Sequence, residues 1–359
     1  MVRFSDIIKV KDKKGSRDQP PKKEKTPKRV VERDKFRLSD SQVFKAKKEE
    51  EPASLDISMN DTSNLEVVTF YEKFIERAIE IRDRVKSDQG ISPSPVLSDL
   101  HNILNDKLID NLYEYAMSAR HDYDVMLTHT VDVTFTSIKV GKGMGYDTKM
   151  LLRLGLAAFL ENVGMYKIPE GILKRTGKLE PEEIKLIKSH PQISFEILGR
   201  LGDRYQWLSE VALQIHERLN GSGYPQGLKG DSISELAAII GLVDTYVAMI
   251  KSRPYREKFV QTDAIKSIVD ASKGLFPPRV LKVFLTQISL FPVNSLVALN
   301  NKSIGRVIST DKDKPLRPVI ELMYDGSGRK IENRQVIKLS ENPLLYIEGN
   351  VTEDKLSSL

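Results

Sequence analysis

The chain has no cysteine and only one tryptophan, Trp207, in 359 residues. Without cysteine it forms no disulfide and offers no thiolate to a metal, so any metal site must rest on imidazole and carboxylate. A cysteine-free chain suits a reducing cytosol, and a cytoplasmic location is expected. No apolar run reaches the roughly 18 residues that mark a membrane span. The opening residues, MVRFSDIIKVKDKK, carry charge without the apolar centre of a signal peptide. Histidine is scarce too: His101, His121, His129, His190 and His216 are the full set.

An excess of charge of one sign is missing from most of the chain. The net charge is +6. Residues 1–55 hold 17 Lys and Arg against 10 Asp and Glu, which leaves 39 against 40 for the remainder. The globular body is therefore close to neutral, and nucleic-acid binding by it is not expected. The basic stretch up to residue 55 is rich in Lys, Glu, Pro and Ser, as in Pro20-Pro21-Lys22-Lys23-Glu24-Lys25. It holds too little apolar surface to offset its ordering entropy and is expected to be disordered. It reads as a solvated tail, or as a basic arm for anionic lipid, nucleic acid or an acidic partner. Phe4, Ile7 and Ile8 suggest a short docking peptide at its start.

What is present beyond that stretch is mostly helical periodicity. Val68, Phe70, Tyr71, Phe74, Ile75 and Ile79 predict a helix that begins near Leu65. After a break at Ser92–Pro95, a second is predicted from Val96 to about Ser118. Val125–Val140 reads both ways: Val131, Val133 and Phe135 alternate like a strand, while Val125, His129 and Val133 stand four apart like a helix. Helical neighbours on both sides favour helix. Asp147 is placed to cap a helix over Thr148–Glu161, with Gly164 as its terminator. Further helices are expected over Pro181–His190, over a stretch whose apolar face is Trp207, Leu208, Val211, Ala212 and Ile215, and over Leu236–Ile250. After Leu290 the pattern changes to short β-type runs, at Leu296–Leu299, Gly305–Ile308, Pro318–Met323 and Gln335–Leu339, separated by turn residues. The fold class is mainly α, a helical bundle followed by a small C-terminal β domain. The expected division is a basic tail over 1–55, a helical region over 56–120, a helical domain over 121–290, a β domain over 291–349 and a tail over 350–359.

The densest chemistry lies in His216-Glu217-Arg218-Leu219-Asn220-Gly221-Ser222-Gly223-Tyr224-Pro225. It sets an imidazole beside a glycine loop that continues through Gly227 to Gly230. Glycine permits positive φ and lets backbone N–H groups approach an anion, although a plain turn has the same composition. Asp244 is the only charged residue within Leu236–Ile250. A carboxylate on so apolar a helix needs a partner, which is a cation, a helix hydrogen bond or a metal. Ser252-Arg253-Pro254-Tyr255-Arg256 offers two guanidinium groups beside an aromatic, a group suited to phosphate. His129 lies on an otherwise apolar stretch, and His190 ends a predicted helix.

Together these pieces resemble the HD-GYP family, bacterial phosphodiesterases that hydrolyse cyclic di-GMP. The resemblance covers about residues 65–345. Its most specific part is IHERLNGSGYPQGLKGDSI, beside the family pattern HHE..DG.GYP.GL.G..I. KIPEGILKRTGKLEPEE, the Ser189-His190-Pro191 triplet, LVDTYVAM around Asp244 and SRPYR at 252–256 add to it. In that family His and Asp residues bind two or three metal ions, usually iron or manganese, which activate water toward a phosphodiester. The resemblance places the first family histidine on His129, the HD pair on Glu161-Asn162, the next histidine on His190, the paired histidines on Ile215-His216 and the late aspartate on Asp244. The lysine that follows the HD pair falls on Met165, and the second late aspartate on Val247.

What this implies is a degenerate member, because an amide bridges two metals poorly and isoleucine not at all. Gly221, Gly223, Tyr224, Pro225, Arg253 and Arg256 are then expected to bind cyclic di-GMP, or a signalling partner such as a diguanylate cyclase, without catalysis. A residual site of His129, Glu161, His190, His216 and Asp244 would hold one iron, manganese or zinc ion, or none. Two alternatives stand beside this: an active metal-dependent phosphodiesterase with an altered site, and a structural interaction protein with no ligand.

Overall fold

The computed structural model describes residues 61–118, 123–175, 177–251, 261–271, 274–288 and 291–351, apart from Pro292, Asp311–Asp313 and Pro315. The basic stretch over 1–55 lies outside these residues, as do Arg253 and Arg256. The chain folds mainly as helices, with a small antiparallel sheet near its C-terminal end. No helix among the described residues is long and apolar enough to cross a membrane.

The helices are α1 Asp61–Lys86, α2 Ser94–Asn105, α3 Ile109–Ser118, α4 Val125–Gly143, α5 Thr148–Leu160, the short α6 Glu170–Leu173, α7 Pro181–Lys188, α8 His190–Gly199, α9 Gln206–Gln214, α10 Glu235–Ile250, α11 Gln261–Ala271 and α12 Pro278–Gln287. The second predicted helix is thus two, because Lys107 takes a φ of 57° and turns the chain between α2 and α3. The chain breaks between α7 and α8, beside Pro191. The proline sits in the first turn of α8, where its missing N–H has no bond to lose.

Helix α4 is the hub. It packs against α1, α3, α5, α10 and α12. That explains the double reading of its sequence: Val131, Val133 and Phe135 are all buried, since the helix is enclosed on nearly every side and needs no polar face. Two carboxylates fix the helix starts. Asp124 accepts the N–H of Met126 at 2.8 Å to cap α4, and Asp147 accepts that of Met150 at 2.8 Å to cap α5. Gly164 does not end α5, which stops at Leu160. It lies in a 3₁₀ turn over Val163–Lys167, where a Cβ would fall 2.2 Å from the His190 carbonyl oxygen. Glycine there lets the turn press directly onto the start of α8. The contact is reinforced as Gly164 N–H donates to Ser194 Oγ, which itself donates to the Glu161 carbonyl.

The sheet comprises β1 Leu296–Leu299, β2 Ile304–Ser309, β3 Val319–Tyr324, β4 Lys330–Lys338 and β5 Ile347–Asn350, in the order β4-β3-β2-β1-β5. Strand β5 was not among the β runs expected from sequence. Phe291, Val297, Leu299, Val307, Ile320 and Leu339 form its separate core.

Candidate metal and ligand site

The site forms where α4, the end of α5, the start of α8, the end of α9 and the middle of α10 meet. His129, one turn into α4, donates from Nε2 to Asp244 Oδ1 on α10 at 2.8 Å. Asp244 thus has the partner its apolar helix demanded. Burial opposes its charge, but the His129 hydrogen bond, with His216 and Arg218 nearby, holds the carboxyl below the ordinary range. Ligand atoms of His129, Glu161 and Asp244 all lie within 4.8 Å of one another.

Glu161 closes α5 and is fully buried at 1% exposure. Burial, then the like charge of Asp244, push its carboxyl well above the usual range. Its Oε1 accepts from Asn162 Nδ2 at 3.1 Å, whereas its Oε2 is buried with no hydrogen-bond partner among the described residues. An orphaned buried carboxylate oxygen of this kind calls for a proton or a cation.

Two further imidazoles pair with each other. His190 Nδ1 donates to the Ile187 carbonyl at 2.7 Å, which leaves its Nε2 bare. His216 Nε2 stands 2.9 Å from that nitrogen, and the rings meet edge to face. Burial pushes His190 down to about 4. Burial and then His190 push His216 down to about 3. Both rings are therefore neutral at pH 7, the form a metal requires. Two imidazole nitrogens at adjacent positions on one ion, with bonds of about 2.1 Å, stand about 3.0 Å apart at a right angle and about 3.4 Å apart at the tetrahedral angle. The donors that converge to fit a single ion are His129, Asp244 and the unsatisfied Glu161 oxygen, and the His190–His216 pair offers two further imidazoles, one with its tautomer fixed by a carbonyl.

The positions where the resemblance places other family ligands are built differently. Ile215 is 1% exposed and belongs to the helical core, as does Val247 at 0%. Met165 is buried. The amide of Asn162 is spent on Glu161.

The glycine loop stands against the imidazoles. Tyr224 stacks on His216 with ring centroids 4.8 Å apart and planes 8° from parallel. The Tyr224–Pro225 peptide is cis. Gly221, Gly227 and Gly230 have φ of 78°, 69° and 53°, the left-handed values that favour glycine. Gly223 is needed for space instead, because a Cβ there would fall 2.4 Å from Glu217 Cα and 2.5 Å from Arg218 N.

Sequence reasoning gave Glu217 and Arg218 no role, yet they hold the loop. The Glu217 carboxylate, 3% exposed, accepts the backbone N–H groups of Gln226, Gly227 and Leu228 at 2.7, 3.0 and 2.9 Å. Arg218 donates to the carbonyls of Ile215 and Glu217 and to Thr245 Oγ1 on α10, and its guanidinium lies over Phe276. The available signal was their place between His216 and the glycines: an acid and a base beside a loop whose amides need acceptors. His101 is exposed on α2, and His121 lies outside the described residues.

Comparison with known proteins gives the family of the chain. Residues 105–280 match the HD domain family, and residues 296–359 match a KOW domain associated with the HD domain. A cyclic di-GMP phosphodiesterase of Pseudomonas aeruginosa is 29% identical over 211 residues, 59% of this chain and 51% of that protein. A cyclic di-GMP phosphodiesterase of Thermotoga maritima is 34% identical over 180 residues, 50% of this chain and 47% of that protein. The chain spans about half the length of the curated relatives it matches. Among solved structures, Bd1817, a HDG"Y"P protein from Bdellovibrio bacteriovorus, shares the fold with a TM-score of 0.52 at 19% identity, over 64% of this chain and 73% of that one. By its ordered motifs, its partly buried His, Glu and Asp cluster and these likenesses, the chain belongs to the HD-GYP family.

Proposed function

We propose that this chain is a signalling protein that recognises cyclic di-GMP through its glycine–tyrosine–proline loop, without rapid hydrolysis. The observation that carries this reading is the anchoring of the loop by Glu217. Three backbone N–H groups converge on one buried carboxylate, so the loop is preorganised by a residue outside the metal-ligand set. The named relatives support the ligand, since they are cyclic di-GMP phosphodiesterases. The loss of turnover is argued from Asn162. A metal bridge needs an anionic carboxylate, and the amide here is neutral and already donates to Glu161. Arg253 and Arg256 complete the proposed ligand set from outside the described residues, and a diguanylate cyclase is a candidate partner.

One specific observation favours a second reading, that of a metal-dependent phosphodiesterase with an altered, single-metal site. His129, Glu161 and Asp244 converge, and His190 and His216 offer neutral nitrogens beside them. These five residues would hold one iron, manganese or zinc ion, whose chemistry is to polarise a phosphoryl oxygen and lower the pKa of bound water. The chain's own part in that chemistry is to orient: the Ile187 carbonyl fixes the His190 tautomer, and the His216 ring is held flat against Tyr224.

Calorimetry with cyclic di-GMP, run in chelator and then with manganese, tests both readings when the ligand is analysed for hydrolysis afterwards. The first expects saturable heat in both buffers and intact ligand. Metal-dependent hydrolysis supports the second reading. Absence of heat in both buffers at high micromolar ligand overturns the first.

A further inference from the structure

We propose that Lys188 contacts a phosphate of the bound nucleotide, in place of the lysine that the resemblance puts at Met165. The inference rests on the cyclic di-GMP reading and names a residue that reading does not include. Lys188 is the last residue of α7, two before His190. Its ammonium lies 5.2 Å from the centroid of the Tyr224 ring, the same ring that stacks on His216. One cation, the tyrosine of the loop and the imidazole pair therefore form a continuous face.

The make-up of that face explains the need for a cation. Two carboxyl groups, those of Glu161 and Asp244, have their oxygens within 4.8 Å of one another at the site, and an anion settling there needs a counter-charge. Arg218 does not supply it, because its guanidinium is spent on two carbonyls and on Thr245 and is 9% exposed. Met165 is buried and uncharged.

Lys188 meets the remaining requirement. It is partly exposed, and among the described residues it has no ion pair and no hydrogen bond from its ammonium. Lys185, in the same last turn, is exposed, and Lys188 is the one of the two whose ammonium lies over the Tyr224 ring. A cation parked over an aromatic face keeps its three N–H donors available, and it can turn to an anion that settles beside the tyrosine. The chemical class it fits is a phosphodiester or phosphomonoester oxygen, bound by a point charge.

The test uses the full chain and three proteins, the wild type, Lys188→Met and Lys188→Arg, titrated with cyclic di-GMP and separately with inorganic phosphate. The Met variant keeps the stem that packs on Tyr224 and removes only the charge. Expected is a weakening of cyclic di-GMP binding by about tenfold or more in Lys188→Met, the size of one charged hydrogen bond, with near-recovery in Lys188→Arg. The thermal midpoint should be unchanged in both variants, and Lys188→Gln replaces the Met variant if that one is unstable. Equal affinity of wild type and Lys188→Met for cyclic di-GMP overturns the Lys188 contact and leaves the dinucleotide reading standing. Lys188-dependent binding of phosphate, with no binding of cyclic di-GMP by the wild type, upholds the anion contact and overturns the dinucleotide reading. Failure of the wild type to bind either probe overturns both.

Discussion

Glu161→Gln separates the metal-bound and metal-free accounts, because one substitution has opposite effects in the two. In the metal-free protein Glu161 is an expensive residue. It is buried, its Oε2 has no hydrogen-bond partner among the described residues, and Asp244 lies within reach of its charge. To fold at neutral pH it must stay ionised without solvation or take up a proton. With an ordinary glutamate pKa of about 4.3, holding it protonated at pH 7 costs roughly 3–4 kcal/mol, which is the ceiling on what the substitution returns. Gln keeps the oxygen that accepts from Asn162. It also places an NH₂ where Oε2 stood, and an unsatisfied donor there costs about 1–3 kcal/mol. The net expectation in chelator is a gain of about 1–2 kcal/mol, a rise of about 2–6 °C in Tm.

Metal reverses the order. A ligand that binds only the folded state stabilises by about 2.7 kcal/mol at a hundred times its Kd. Wild type should gain that much on addition of manganese, zinc or anaerobic iron, while Glu161→Gln should gain little. Thermal melts followed by circular dichroism, with and without chelator, read both halves. If the variant melts lower than wild type in chelator, the like-charge account of Glu161 and Asp244 is wrong. If it responds to metal as the wild type does, Glu161 is not a ligand.

Two further predictions come from the same geometry. With Glu161 replaced by Gln, the metal-free protein should lose stability on mild acidification: His190 is held at about 4 against an ordinary 6.5, so its contribution is complete above pH 6.5 and is lost as pH falls through about 4. At pH 5 this one residue should cost about 2 kcal/mol relative to pH 7, a loss that the raised pKa of Glu161, acting with the reverse sign, offsets in the wild type. Urea unfolding midpoints of Glu161→Gln that stay flat from pH 7 to pH 5, in chelator, would contradict it. Glu217→Ala should release the loop without melting the helices, because three N–H groups lose an acceptor that is worth about 1.5–3 kcal/mol per bond to a charged group. Hydrogen exchange at Gln226, Gly227 and Leu228 should accelerate sharply while helical ellipticity is kept, and unchanged protection would refute the anchoring role.

How far the sequence carried the reading follows from where each signal came from. The helical class, the capping of α4 and α5 and the enclosed character of α10 come from short-range chemistry, and periodicity with Asp caps reports that directly. The divide between α2 and α3 depends on Lys107 taking a left-handed φ, a conformation that nothing about lysine announces. Gly164 looked like a helix terminator because glycine suits that role. Its actual constraint is the His190 carbonyl, distant in sequence and 2.2 Å from where a Cβ would stand. Strand β5 was hidden by its composition: Ile347-Glu348-Gly349-Asn350 is short, and only pairing with β1 makes it a strand. In the site, Asp244 announced its need for a partner, since a lone acid stood on an apolar helix. Glu217 did not, because an acid beside a polar loop reads as solvated until its three backbone partners are located.

The partition of these interactions explains how loop and metal ligands can diverge in one protein. The N–H groups of Gln226, Gly227 and Leu228 converge on Glu217, and the carbonyls of Ile215 and Glu217 are taken by Arg218. Neither residue is a member of the metal-ligand set. Changes at Glu161, Asn162, Met165 or Ile215 would therefore reach the proposed metal site without removing any side-chain hydrogen bond that shapes the loop. Only the His216 ring is shared, facing His190 on one side and Tyr224 on the other. Selection that relaxed on hydrolysis would leave the loop's own support untouched, whereas selection that relaxed on the loop would release the costs of a buried Glu217 and a buried Arg218. Both are in place and hydrogen-bonded, which supports the proposed role of the loop in recognition.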